Sequence, residues 1–339
     1  GYSPSSVAIG DLDGDGALDL VVAGGHISVL QGNGDGTFAA AVDYGVGRVP
    51  SSVATGDFDG DGVLDLAVAN FYSASVSVLL GNGHGTFATA LDYGAGDSPI
   101  SVAVGDLDGD GALDLAVANE YSDDVSVLLG SGDGVFAAAV DYGVGDHPRS
   151  AAVGDLDGDG ALDLAVANGS SGTVSVLLGS GDGTFAAAVD YGVGDEPRSV
   201  VVGDFDEDGA LDLAVANEYS DDVSVLLGNG DGMFGAAVDY GAGDGPWSIA
   251  VGDLDGDGAL DLAVASYYGV DYSDYVWVLL GRGDGTFEAA VNHGGGLQPS
   301  SVAMGDLDGD GVVDLAVANE YGYNVSVLLG SGDGTFAAA

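Results

Sequence analysis

The sequence predicts an all-β fold, a seven-bladed β-propeller of four-stranded antiparallel blades. Three observations carry that prediction. An acidic nine-residue phrase recurs seven times, with its first aspartates at positions 11, 57, 106, 155, 204, 253 and 306. The intervals are 46, 49, 49, 49, 49 and 53 residues, which defines a unit of 49. Within each unit, four short segments alternate at the strand period of two, and none shows helical periodicity with helix caps. Four strands repeating every 40–50 residues or so are the pattern of a propeller blade.

The elements follow in order. Each unit opens on a proline, at 4, 50, 99, 148, 197, 246 and 299. Proline fixes φ and suits the first residue of a strand, where no ladder N–H is needed. Strand A, S-V-A-V-G, comes next, then the acidic phrase, whose end overlaps strand B, D-L-A-V-A-N. A variable loop precedes strand C, V-S-V-L-L-G, and a turn such as G-N-G-D-G-T-F leads into strand D, A-A-A-V-D-Y-G. Asn-Gly and Asp-Gly supply the positive-φ positions that tight turns require. Unit one is three residues short in its B–C loop, unit six is four longer there, and the join from Ala339 to Gly1 lacks a five-residue V-D-Y-G-V phrase. Residues 1–339 therefore read as one propeller, expected to be a mature or excised segment and one module of a longer chain. A nine-residue calcium β-helix is excluded by the period, and an EF-hand by flanks that read as strands.

The phrase D-x-D-G-D-G-x-x-D suits a hard cation. Side chains at positions 1, 3, 5 and 9 and the carbonyl of position 7 can converge on one point, as in the first part of an EF-hand loop. Glycine at position 6 permits the positive φ that wraps the chain. The candidate ligands are Asp11, Asp13, Asp15 and Asp19 with the Ala17 carbonyl, then Asp57, Asp59, Asp61 and Asp65 with Val63. Loops three and four offer Asp106, Asp108, Asp110, Asp114 with Ala112, and Asp155, Asp157, Asp159, Asp163 with Ala161. Loop five offers Asp204, Asp206, Asp208, Asp212 with Ala210, and loop six Asp253, Asp255, Asp257, Asp261 with Ala259. The last offers Asp306, Asp308, Asp310, Asp314 with Val312. Magnesium demands stricter octahedral geometry and keeps its waters, so calcium is expected, about seven ions, one per loop. Loop five carries Glu207 where the others have glycine, and weaker binding is expected there. The chain has no cysteine, and its four histidines, His26, His84, His147 and His293, fall at non-equivalent places read as turns or loops, which excludes a soft-metal site.

On these loops, and on the G-x-G-D-G-x-F turn between strands C and D, the chain resembles the FG-GAP or VCBS repeat propellers related to the integrin α-subunit head. The resemblance covers the whole chain. It implies calcium in the acidic loops, a seven-bladed propeller, and roles in adhesion or ligand binding. In some related fungal lectins the ligand is a sugar held between blades.

Composition excludes several classes. Lysine is absent, aspartate numbers 49 against 6 glutamates, and the net charge is −51. Twenty-eight of those aspartates lie in the acidic loops, so the charge follows from a repeated motif. Nucleic acid, anionic membranes and acidic glycans are poor partners for such a body. An apolar content of 46% spread evenly excludes a disordered acidic tail. No apolar run is long enough to span a bilayer as a helix. Weak calcium loops fit a calcium-rich setting, so a secreted or surface location is expected.

With antiparallel strands, the A–B and C–D loops share one face and the B–C and D–A loops the other. The second face holds nearly all the variation, and binding residues favour variable loops on a rigid scaffold. Unit six stands out there: Trp247 opens its strand A, Tyr267, Tyr268, Tyr272 and Tyr275 fall in or beside its enlarged loop, and Trp277 replaces a serine. These aromatics are the candidate ligand-binding residues, for a protein or a neutral glycan, unless they pack on one another to cover the longer loop. Arg282-Gly283-Asp284 spells an adhesion tripeptide inside an ordinary glycine turn and reads as coincidence. No nucleophile beside a base and no open catalytic metal site is apparent, so the chain reads as a non-enzymatic scaffold with calcium-dependent stability. The alternative is a calcium-stabilised lectin.

Overall fold

The computed structural model describes residues 3–267 and 275–338. They form seven four-stranded sheets, each with its strands in chain order. Blade three is typical: strand A is Pro99–Gly105, B is Asp114–Asn119, C is Asp124–Leu128 and D is Val140–Gly143. All pairings are antiparallel, as the short connections require. Strand A of each blade lies beside strand A of the next, and the series closes between Ser6–Gly10 and Pro299–Gly305.

Serine explains part of that closure. In every blade the serine two residues after the proline accepts a hydrogen bond from a backbone N–H of the following blade, for example Val102 N to Ser52 Oγ at 3.3 Å. The last bond of the series joins Val7 N to Ser301 Oγ at 3.2 Å, across the two ends of the chain. The apolar core is divided among the blade interfaces. One cluster joins Val21, Ile27 and Val29 of blade one to Val53, Leu66 and Leu79 of blade two, and equivalent clusters follow round the ring. Strand B is buried on both faces, which accounts for its unbroken D-L-A-V-A-N run.

Strand D differs from the sequence expectation. The A-A-A-V-D-Y-G run does not form one strand: Gly130 pairs with Phe136 in an isolated bridge, and the regular ladder resumes only at Val127–Val140. Three steps along strand C there face four along strand D, so an extra residue is accommodated as a bulge. Blade seven also departs, with strand C at Asn324–Gly330 and strand D reduced to Phe336–Ala338.

Candidate functional site: acidic loops and the opposite mouth

Each acidic loop is held by its own backbone. In loop one, Asp11 accepts from Gly14 N at 2.8 Å and Gly16 N at 3.1 Å, Asp13 from Asp15 N at 3.2 Å, and Asp15 from Ala17 N at 2.8 Å. Gly14 and Gly16 take φ of 76° and 92°, values that disfavour a side chain. The ninth-position aspartate is fully buried. Asp114 accepts from Leu107 N at 2.7 Å and Gly130 N at 2.7 Å, which ties the loop to its own C–D turn. Burial is the largest influence on these carboxyls and outweighs both hydrogen bonds, lifting Asp65, Asp114, Asp212 and Asp261 to about 6. Asp19, Asp163 and Asp314 move in the same direction for the same reason.

The carboxylates converge. In loops one and two, the oxygens of positions 1, 3 and 5 lie within 4.8 Å of one another. In loops three, four and five the same holds for positions 1, 3 and 9, for instance Asp106, Asp108 and Asp114. That spacing is twice a calcium–oxygen bond of about 2.4 Å, so the oxygens fit around one ion. Asp106 Oδ1 is buried without a hydrogen-bond partner, a cost that a cation would remove. Loop five keeps the same bonds, Gly209 N to Asp204 at 3.0 Å and Ala210 N to Asp208 at 2.8 Å, although Glu207 stands at φ 58°.

These loops also join blades. The C–D turn of each blade donates to the second-position carbonyl of the preceding acidic loop, as in Gly134 N to Phe58 O at 2.9 Å. The bond from Gly36 N to Leu307 O at 3.1 Å completes the circuit. The Arg282-Gly283-Asp284 turn is bound like its counterparts: Asp284 accepts from Thr286 N at 3.1 Å, and Arg282 pairs with Glu288 at 3.4 Å.

On the opposite face, B–C loops bond to D–A loops, as in Glu120 N to Ser98 O at 3.0 Å and Glu218 N to Glu196 O at 3.0 Å. A cavity of about 400 Å³ opens there between the A strands, lined by the serines of strand A with Phe71, Glu120, Arg149, Arg198, Trp247 and Glu320. Arg149 pairs with Glu120 at 2.8 Å and Glu196 at 3.5 Å, and Arg198 pairs with Glu196 at 3.6 Å and with Glu218. Arg198 lies over the Trp247 ring at 4.2 Å, and Trp247 stacks on Tyr267 with centroids 4.6 Å apart. Tyr267 Oη donates to Glu320 at 2.9 Å. An arc of polar and aromatic contacts thus runs from blade three to blade seven. Arg149 Nε and Glu218 Oε1 are buried in it with no hydrogen-bond partner.

The structure brings Trp247 and Tyr267 together at the cavity mouth. Tyr275 instead meets Trp277, edge to face at 6.1 Å. Trp277 is half-buried against the blade-five/six core, in space left by Gly243. Tyr268 and Tyr272 lie outside the described residues. His293 was expected in a turn or loop but sits in strand D of blade six, edge to face on Phe336 at 5.4 Å, in the place of the usual tyrosine. Sequence reading missed Arg149 and Arg198. The available signal was that two of only four basic residues follow the prolines of neighbouring blades.

Fold and site together define a repeat propeller with an acidic loop in every blade. The FG-GAP-like repeat model matches residues 11–68, 57–117, 106–166, 155–215, 204–264 and 266–317, and the FG-GAP repeat model matches 299–336. The chain belongs to the FG-GAP repeat family. A comparison with curated protein sequences finds no match. Among solved structures, the chain is similar to an Agrocybe aegerita lectin described as recognising non-reducing terminal N-acetylglucosamine, at 21% identity and TM-score 0.60, covering 98% of this chain and 92% of that one. It is similar to the Pseudomonas aeruginosa periplasmic gluconolactonase at 17% identity and TM-score 0.73, covering 95% and 94%. It is also similar to BBS1N in complex with ARL6DN, at 16% identity and TM-score 0.63, covering 95% and 90%. At these identities the likeness shows the propeller fold alone.

Proposed function

We propose that the protein is a non-enzymatic, calcium-binding scaffold, secreted or displayed at a surface for adhesion or interaction, whose ring is stabilised by about seven calcium ions. The observation that carries this reading is the convergence of three carboxylate oxygens within 4.8 Å in loop after loop. Calcium in each loop neutralises crowded aspartates. It also rigidifies the carbonyl that receives the next blade's C–D turn, so ion binding and blade docking reinforce one another. In each loop the aspartates and the position-7 carbonyl would hold the ion, and its chemistry there is charge neutralisation. Calorimetric titration of the decalcified chain tests the reading: about seven equivalents of calcium bound support it, and no binding at millimolar calcium contradicts it.

The partner is taken to sit at the cavity mouth beside Trp247, Arg149 and Arg198. A second reading, a lectin for neutral glycans, is favoured by one observation. The mouth combines a serine ring and unpartnered polar atoms with an aromatic pair, groups suited to a hydroxyl-rich ligand. A glycan array with and without Trp247→Ala separates the two: glycan binding lost in the variant supports the lectin, and an empty array leaves a protein partner as the reading.

A further inference from the structure

At the end of strand C, six blades carry a leucine, at 80, 129, 178, 227, 280 and 329, and blade one carries Gln31. The position sits where an acidic loop meets the next blade. In blade three, Leu129 and the position-3 aspartate of the loop, Asp108, both lie against Gly183 in the C–D turn of blade four. Leucine fills that junction but donates no hydrogen bond.

In blade one an amide takes its place. Gln31 Nε2 donates to Asp13 Oδ2 at 2.8 Å and to the His84 carbonyl, in the C–D turn of blade two, at 3.4 Å. Gly85 of that turn packs so closely on the amide that a side chain there would collide with it. His84 is itself an exception, since the other six turns have aspartate at that position. Two departures from the repeat therefore meet at one junction.

The consequence falls on Asp13. In every acidic loop the position-3 carboxylate accepts the position-5 N–H through Oδ1, at 3.2 Å in loop one and 3.1 Å in loop three. Among the described residues, only in loop one does Oδ2 also have a donor. Each carboxylate oxygen has two lone pairs, so both can accept a hydrogen bond and still face a cation. Asp13 is thus held at both oxygens before an ion arrives. Its counterparts are tethered at one and lose more freedom on binding.

We propose that Gln31 is a positioning residue that raises the calcium affinity of loop one about tenfold above what leucine would give, and that links this loop to the blade-two turn. The inference rests on the calcium reading above. Removing an outer-shell partner of a metal ligand typically costs about 10–100-fold in affinity.

The test uses the full chain. Its two glutamines are Gln31 and Gln298, so nitrogen-15 labelling of glutamine gives two side-chain amide signals, and the one lost in Gln31→Leu is Gln31. Calcium titration of the decalcified chain should shift the Gln31 signal with a midpoint roughly tenfold below that of the whole binding isotherm. Leucine stands at this position in six blades, so Gln31→Leu keeps a side chain that the fold accepts. It should weaken one equivalent of calcium about tenfold and leave the others unchanged. Gln31→Glu replaces the donor by a charged acceptor and should weaken the same equivalent. Tighter binding in Gln31→Glu overturns the proposal in favour of direct ligation by this side chain. Equal weakening of every equivalent in Gln31→Leu also overturns it, because the effect would then belong to the whole ring. Seven equivalents bound with an unchanged isotherm in Gln31→Leu overturn this inference alone, whereas no calcium bound in any loop overturns the calcium reading and this inference with it.

Discussion

On one face of the ring, seven acidic loops differ only at their second, fourth, seventh and eighth positions. On the other, the B–C loops run from the three residues Gly24–His26 to the enlarged loop of blade six, and the residue after the unit's proline is serine, isoleucine, arginine or tryptophan. Both faces bridge blades, but by different chemistry. The acidic face repeats one backbone-to-carbonyl bond at every interface. The other uses individual side chains, Arg149 on Glu120 between blades three and four, Arg198 on Trp247 between five and six, and Tyr267 on Glu320 between six and seven. Uniform repetition serves the ring as a whole, whereas local variation creates a surface that distinguishes one direction from another.

That contrast predicts a large stability effect on the acidic face. Asp114→Ala leaves the buried Leu107 N and the half-buried Gly130 N without their acceptor, and should cost about 3–5 kcal/mol even without calcium, measured by denaturant unfolding. A cost below about 1 kcal/mol would mean that position 9 does not anchor the loop.

The pH response sharpens the same point. In the calcium-free chain, Asp65, Asp114, Asp212 and Asp261 have folded pKa values raised to about 6, above an unfolded value of about 3.9. The folded state therefore holds more protons, and stability present below about pH 4 is lost as pH rises through about 6. Bound calcium favours the ionised carboxylates and reverses the sign, so the loaded chain should lose stability as pH falls. Melting curves between pH 4 and 7 with and without calcium should slope in opposite directions, and parallel slopes would contradict the cation reading.

The variable face should respond more weakly. Trp247→Ala removes a stack and a cation–π contact at a half-exposed site and should cost roughly 1–2 kcal/mol while calcium content stays unchanged. A change in calcium stoichiometry would break the separation of the faces. The smallest effect lies in loop five. Glu207 holds φ 58°, a conformation that glycine adopts without penalty, so Glu207→Gly should stabilise the chain by about 1 kcal/mol. A destabilised variant would show that Glu207, whose side chain lies against Gly283, supports the neighbouring turn.

The sequence made the ring legible because its signals are local. Alternating residues mark the strands, and the spacing of Asp11, Asp57 and their successors marks the blades. The bulge before Val140 was not legible, since A-A-A-V-D-Y-G alternates no differently on either side of it. The Arg149–Glu196 and Arg198–Trp247 contacts were hidden because each joins residues nearly one repeat apart, and reading the units in parallel separates them.

We propose that cations in the acidic loops hold the blades together. At a hundredfold excess over its dissociation constant, each ion adds roughly 2.7 kcal/mol, and several such terms rival the whole stability of a typical domain, about 5–15 kcal/mol. The direct measurement is thermal unfolding of the same preparation in excess calcium and in excess chelator at neutral pH. Chelation should lower the melting temperature by tens of degrees, about 20 °C or more, and added calcium should restore it. Superimposable melting curves in calcium and chelator would contradict it.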